Sequence, residues 1–216
     1  MMKTLSDTQY IQKLVSEGEH EHQDFKFEIS DARKIARSIS AFANTEGGRL
    51  LVGVKDNGKI AGIRSEEEIY MIEAAAELYC QPPIVPETKT YLAEGKTVLE
   101  VNIKEADIKP VYALDEENNQ RAYIRIADEN ILATPVHLKM WKQYKKREGT
   151  LVAFTEKEQQ LIHALKENGK LTLNQCCRQC RLSRPTVCSL LADFTRFGVV
   201  KTIFESHKFY FKLNEE

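Results

Sequence analysis

Apolar residues recur along the first half of the chain with two different periods. Ile35, Ile39, Phe42 and Ala43 lie at helical spacing. They predict a helix that ends at Asn44-Thr45-Glu46-Gly47-Gly48, where glycine supplies turn conformations other residues resist. Leu50-Leu51-Val52-Gly53-Val54 reads as a buried strand, and Asp56-Asn57-Gly58 as a tight turn, so residues 59–63 are expected to return as the second strand of a hairpin. Gly62 in that strand would allow close packing or a bulge.

Upstream, residues 3–16 predict an amphipathic helix through Tyr10, Ile11, Leu14 and Val15, stopped by Gly18. Residues 19–28 read as extended, with Phe25 and Phe27 on one face and Asp24 and Lys26 on the other. Ser30 is placed to cap the following helix, with Asp31 adding favourable charge at its start. Downstream, residues 66–80 predict a helix facing inward through Ile69, Ile72, Ala76 and Tyr79, broken by Gln81-Pro82-Pro83. Two strand pairs follow, 85–91 with 97–103 and 109–113 with 122–126. In the first pair Leu99, Val101 and Ile103 share one face. Residues 134–147 read as a closing helix on Val136, Met140, Trp141 and Tyr144. Its basic run, Lys142, Lys145, Lys146 and Arg147, precedes Gly149 and marks the expected domain boundary.

The remaining chain has a different rhythm. Thr155-Glu156-Lys157-Glu158 is a capping box for a helix whose inner face is Leu161, Ile162 and Leu165. Thr172 caps a short helix to Cys180, and Arg181-Leu182 is the turn. Ser183 caps a third helix with Val187, Leu190, Leu191 and Phe194 at i, i+3, i+4 and i+7, stopped by Gly198. A hairpin around Glu205-Ser206-His207 closes the order. Three helices and a hairpin is the order of a winged helix-turn-helix, and LTLNQCCRQCRLSRPTV is similar to that motif in bacterial regulators.

Length and charge narrow the classes. The 216 residues allow one large or two small domains. No apolar run approaches a membrane span and no signal peptide is read, so a cytoplasmic protein with no membrane partner is expected. Net charge is −1, so the whole chain is not a polycation. Residues 1–149 hold 21 Lys and Arg against 25 Asp and Glu, whereas residues 150–216 hold 10 against 7, which tilts phosphate binding toward the C-terminal part. Five cysteines are an odd number for a disulfide framework. Cys177 and Cys180 have metal-ligand spacing, yet Cys176, Cys177 and Cys180 also occupy helix positions suited to small hydrophobes, the reading preferred here. His20 and His22 would share a strand face, a metal-like pattern that is more often plain surface. No Gly-x4-Gly-Lys-Ser/Thr run supports ATP binding.

AFANTEGGRLLVGVKDNGKIAGI resembles the signature of the Schlafen-type AlbA_2 domain, a bacterial module associated with nucleic acid. Glu19-His20-Glu21-His22-Gln23-Asp24-Phe25-Lys26 resembles its second signature, and Lys109-Pro110-Val111-Tyr112 with Ala122-Tyr123-Ile124-Arg125 its third. The resemblance implies a mixed-sheet AlbA_2-like domain with packed helices over residues 1–148, and the C-terminal helix order adds a small winged-helix domain over 149–216, an α+β fold throughout. Three functions compete: a DNA-binding regulator, a nuclease of the kind found in this family, and a pure interaction module. In nuclease members, acidic residues at positions matching Glu19, Asp24 and Asp56 bind a divalent metal, with Lys26 placed to contact phosphate. Carboxylates are hard donors suited to Mg²⁺ or Mn²⁺, which would make the chain a metal-dependent endonuclease acting on RNA. Asp24 stands where that family usually has Glu, and Lys55 replaces an acidic neighbour of Asp56. The expectation preferred here is a transcriptional regulator that binds DNA through its third C-terminal helix. Ser183, Arg184, Thr186, Cys188 and Ser189 would face the groove, with His207 and Lys208 on the wing. Ser189 stands where many such motifs carry Arg, so doubling in a homodimer would supply affinity that one helix lacks.

Overall fold

A computed structural model of the protein describes residues 5–144 and 154–214. The chain divides into two units, Met1–Leu132 and Ala133–Glu216.

The first unit begins with α1 (Asp7–Glu17), closed at its head by a capping box of Ser6 and Gln9 and at its tail by Gly18. It continues through β1 (Gln23–Lys26), α2 (Ala32–Asn44), β2 (Gly48–Val52), α3 (Glu67–Glu77), β3 (Cys80–Gln81), β4 (Glu87–Ala93), β5 (Lys96–Ile103), β6 (Tyr112–Leu114), β7 (Gln120–Ile126) and β8 (Glu129–Leu132). Asp31, rather than Ser30, caps α2, accepting the Arg33 N–H at 2.9 Å. One mixed sheet has the order β1-β2-β5-β4, with β1 and β2 parallel and the other pairs antiparallel. A second, antiparallel sheet has the order β3-β6-β7-β8.

The period-two alternation of β2 and β5 explains the layers. Leu50, Val52, Leu99, Val101 and Ile103 pack with Ile39 and Phe42 of α2 and Ile72 of α3. The opposite face, with Leu51 and Val98, is covered by Ile11 and Leu14 of α1. The hairpin expected after Val54 shrinks to a single bridge between Val54 and Ile60. Both edges of β2 are already taken, by β1 and β5, so residues 59–63 have no edge to join. Their backbone turns back onto Gly53 instead, whose carbonyl accepts the Ala61 and Gly62 N–H groups at 2.8 Å each.

The second unit comprises α4 (Pro135–Tyr144), α5 (Glu156–Asn168), β9 (Lys170–Leu171), α6 (Leu173–Cys180), α7 (Arg184–Arg196), β10 (Val200–Glu205) and β11 (Lys208–Leu213). Its sheet has the order β10-β11-β9 and is antiparallel throughout. The capping boxes of Thr155 with Glu158 and Thr172 with Gln175 both form. The helix expected to close the first domain belongs here, because Val136 is fully buried among Leu161, Val187 and Leu191, with Met140 packed against that core. The division therefore falls at Leu132, ahead of the expected boundary at 148. Lys145, Lys146 and Arg147 of the basic run, and that expected boundary, lie outside the described residues. No helix among the described residues is long and apolar enough to cross a membrane.

Candidate nucleic-acid and carboxylate sites

Strand β1 carries the first candidate. Phe25 points into the α1 side of the sheet, so Asp24 and Lys26 project on the side of α2. Asp24 is 3% exposed, yet it is a charged group, and burial of a charge is costly unless it is paired. Two cations pair it: Lys26 Nζ lies 2.7 Å from Oδ2 and Arg125 Nη2 lies 3.5 Å from Oδ1. Arg125 is buried as well. Its guanidinium donates to the carbonyls of His20 (3.4 Å) and Gln23 (3.2 Å) and to Asn130 Oδ1 (3.0 Å). Its Cζ sits 5.1 Å from the centre of the Phe42 ring. Arg125 thus ties β7 to the segment entering β1. In the sequence Arg125 closes the third signature, Ala122-Tyr123-Ile124-Arg125, but nothing local to it indicates its buried partners.

Glu19 adjoins this pair. Its Oε1 accepts the Phe25 N–H at 2.9 Å. Burial, and a hydrogen bond with the Asp24 carboxyl, raise its pKa above the ordinary carboxylate range. Asp56 does not join them. It lies exposed in the turn after Lys55, whose ammonium rests 4.8 Å from the Phe27 ring centroid. Among the described residues no group of three or more His, Cys, Asp and Glu side chains is placed to hold a metal ion. The three carboxylates therefore do not fit a shared divalent cation. The pair that does form, Glu19 with Asp24, already has Lys26 and Arg125 as its counter-charges. His20 and His22 stand edge to face with ring centroids 6.2 Å apart. His22 Nδ1 contacts the Gly47 carbonyl at 3.2 Å, and His20 Nδ1 accepts the His22 N–H at 3.1 Å, which are structural roles.

A second buried acid escaped the sequence reading. Glu100, on the α1 face of β5, accepts the Tyr10 hydroxyl at 3.0 Å and lies 3.5 Å from Arg49 Nη1. Burial and this carboxylate push the Tyr10 pKa up to about 12. The phenol is therefore a fixed donor that locks α1 onto the sheet.

In the second unit, Ser183 caps α7. Its Oγ accepts the Thr186 N–H at 3.4 Å and contacts Thr186 Oγ1 at 2.8 Å. Arg184 is exposed, and its guanidinium donates to Asn174 of α6. Thr186 and Ser189 are half-buried, so Ser183, Arg184, Thr186 and Ser189 all reach solvent along one end of α7. Cys188 does not. It is buried with Cys176 and Cys180, because position 188 follows Val187 and precedes Leu191 on the inward arc of the helix. Burial raises the pKa of all three thiols, that of Cys176 to about 12, which keeps them protonated and inert. His207 and Lys208 are exposed at the β10–β11 turn, where Ser206 and His207 adopt φ of 49° and 56°.

Counted by the structural division, the second unit carries 15 Lys and Arg against 8 Asp and Glu, a net of about +7, and the first 16 against 24, about −8. The asymmetry is steeper than the expected boundary implied, because residues 133–149 bring five Lys and Arg against one Glu.

Among solved structures, the chain is similar to the N-terminal domain of a RecG-related protein from Nitrosomonas europaea, described as related to an ATP-dependent DNA helicase. Identity is 24%, with 57% of this chain and 89% of that one covered and a TM-score of 0.44. It is also similar to the DIP2311 protein from Corynebacterium diphtheriae at 16% identity and a TM-score of 0.47, covering 88% of this chain but only 34% of that one. No curated protein matches. The Schlafen, AlbA_2 family model matches residues 19–134, a span that holds the buried Asp24–Arg125 pair, the α2 helix and both sheets of the first unit. That match covers more than half of the chain, and the chain belongs to the Schlafen AlbA_2 family.

Proposed function

We propose that the protein is a DNA-binding transcriptional regulator whose second unit is a winged helix-turn-helix, with α7 as its recognition helix and the β10–β11 hairpin as its wing. The observation that carries this reading is the exposed N-terminal end of α7, Ser183 to Thr186, in a unit of about +7 net charge. The helix order and the antiparallel sheet of β9, β10 and β11 support it. Family membership supports association with nucleic acid more broadly. On this reading Ser183, Arg184, Thr186 and Ser189 approach the major groove, and His207 and Lys208 approach the adjoining backbone. Cys188 drops out of the set. The first unit would assist by binding nucleic acid, by oligomerisation or by sensing a ligand.

Cleavage of RNA by a metal held on Glu19, Asp24 and Asp56 is the competing reading. It has less support, because Asp56 stands apart and Asp24 is already neutralised by two protein cations. The deciding experiment is binding of the full chain to genomic DNA fragments at two salt concentrations. Phosphate-dominated binding must weaken as salt rises. Arg184→Ala is expected to cost about 1–3 kcal/mol of affinity if Arg184 pairs with guanine. Asn174→Ala, which removes only the resting partner of Arg184, should bind normally. Equal affinity for Arg184→Ala and wild type would remove this helix from the interface.

A further inference from the structure

The three-stranded sheet of the second unit has two unlike faces. Val200, Phe211 and Leu213 point toward the helices, and Val200 and Phe211 are buried there. By alternation, the other face carries Lys201, Ile203 and Glu205 from β10 and Lys208, Tyr210 and Lys212 from β11. The ladder sets Lys201 opposite Lys212, Ile203 opposite Tyr210 and Glu205 opposite Lys208. Strand β9 adds Lys170 beside Lys212. This face therefore presents four lysines and one glutamate around one tyrosine. Lys170, Lys201 and Lys208 are exposed and Tyr210 is half-buried. Lys170 Nζ lies over the Tyr210 ring, 5.1 Å from its centroid, and also pairs with Glu205.

We propose that this sheet face is a second nucleic-acid site, distinct from α7, that takes single-stranded nucleic acid. The proposal goes beyond the duplex-binding reading and does not depend on it. An aromatic ring set among cations on a flat strand surface supplies both things a single strand offers: a base to stack and phosphates to neutralise. Duplex DNA hides its base faces and would leave Tyr210 unused. A base stacking on Tyr210 displaces the Lys170 ammonium from the ring and frees it toward the neighbouring phosphate. Lys201 and Lys212, directly opposite one another, would track the backbone on the far side of the ring. The single acid on the face, Glu205, is the group Lys170 must leave.

The test uses the full chain with fluorescent oligothymidylate, oligouridylate and a mixed-sequence duplex. Tyr210→Ala should weaken binding of a single strand by about tenfold while leaving duplex affinity unchanged. Tyr210→Phe, which keeps the ring, should bind as wild type. Lys201→Glu, which places a carboxylate opposite Lys212 and so preserves the ladder, should lower single-strand affinity and flatten its salt dependence. Arg184→Ala should leave single-strand binding intact whether or not it affects duplex. No binding of either oligonucleotide by wild type would overturn the proposal. So would equal single-strand affinity for a folded Tyr210→Ala, or a parallel loss of single-strand binding in Arg184→Ala.

Discussion

The side-chain amide of Asn44 holds both backbone polar groups of Val111. Asn44 Oδ1 accepts the Val111 N–H at 2.7 Å, and Nδ2 donates to the Val111 carbonyl at 2.8 Å. The same Nδ2 donates to the Tyr123 carbonyl at 2.9 Å. One side chain at the end of α2 thus replaces a missing strand partner and joins the helix to β7 and to the chain entering β6. Ser40 continues the stripe, donating to the Val111 carbonyl at 2.8 Å and accepting the Tyr123 N–H at 3.1 Å.

Asn44→Ala is therefore expected to destabilise the first unit by about 2–4 kcal/mol, because it leaves several buried backbone groups without partners. Asn44→Asp should be nearly as harmful, since it keeps the acceptor but removes the donor and buries a charge. Urea unfolding of the full chain followed by circular dichroism measures both. A midpoint for Asn44→Ala equal to wild type would show that water replaces the amide at no cost.

Much of this architecture is legible in the chain. The positions of α2, β2, β5 and α7 follow from apolar spacing, and the Gly18 stop of α1 and the caps of α5, α6 and α7 from local chemistry, whereas the Ser6 cap of α1 does not. What is not legible is long-range. Asn44 reads as a helix stop, and only the fold shows that it bonds residues 67 and 79 positions away. Arg125 is legible as the end of a signature, and only the fold surrounds it with Asp24, His20 and Phe42. The second hairpin strand fails because pairing depends on which edges are free, which local turn chemistry does not encode. Asp56 is a long-range matter too: its place in the turn is legible, but whether its carboxylate gathers with Glu19 and Asp24 is set by the fold, which leaves it exposed and outside any three-ligand group among the described residues.

Gly53 is the next test. Its φ of +91° belongs to glycine, and a Cβ there would lie 2.7 Å from the Gly62 carbonyl carbon and 2.8 Å from the Ile63 nitrogen. The obstruction is the returning backbone after the turn. Backbone cannot move aside as a side-chain tip can. Gly53→Ala should already cost about 1–3 kcal/mol and Gly53→Val more, through strain and overpacking together. A thermal melt of Gly53→Ala at the wild-type midpoint would show that the 61–63 segment is free to shift.

His137 makes the second unit sensitive to acid. Packed 5.2 Å from the Phe209 ring, with Thr134 Oγ1 2.8 Å from its Nδ1, its imidazole has its pKa pushed down by burial to about 4. In the unfolded chain the same group takes a proton near its ordinary value of 6.5. The unfolded state thus binds the extra proton first as pH falls. Stability is full above pH 6.5 and is lost progressively down to about pH 4, by about 1–3 kcal/mol. Melting of wild type and His137→Phe at neutral pH and near pH 5 checks this. The wild-type loss should exceed that of the variant, and parallel losses would assign the acid sensitivity to other groups.

Glu19 decides what the carboxylate pair is for. Its pKa is raised, by burial first and by Asp24 beside it, so its ionised form is disfavoured in the fold. A raised carboxylate pKa favours the fold below the ordinary value, and that advantage is lost as pH climbs through the raised value. Glu19→Gln, whose amide oxygen can still accept the Phe25 N–H, should therefore raise the melting temperature at neutral pH and leave it unchanged in acid. Metal offers the complementary measurement. A resident divalent site stabilises the fold by mass action when Mn²⁺ is added. Here Lys26 and Arg125 occupy the side of Asp24 a cation would need, and Asp56 is absent from the pair. Millimolar Mn²⁺ should leave the melting temperature of wild type unchanged, and Asp56→Asn should behave the same way. A Mn²⁺-dependent rise that disappears in Glu19→Gln would show that the pair does admit a metal. Cleavage of structured RNA by that same preparation would then move the nuclease reading ahead of the regulator.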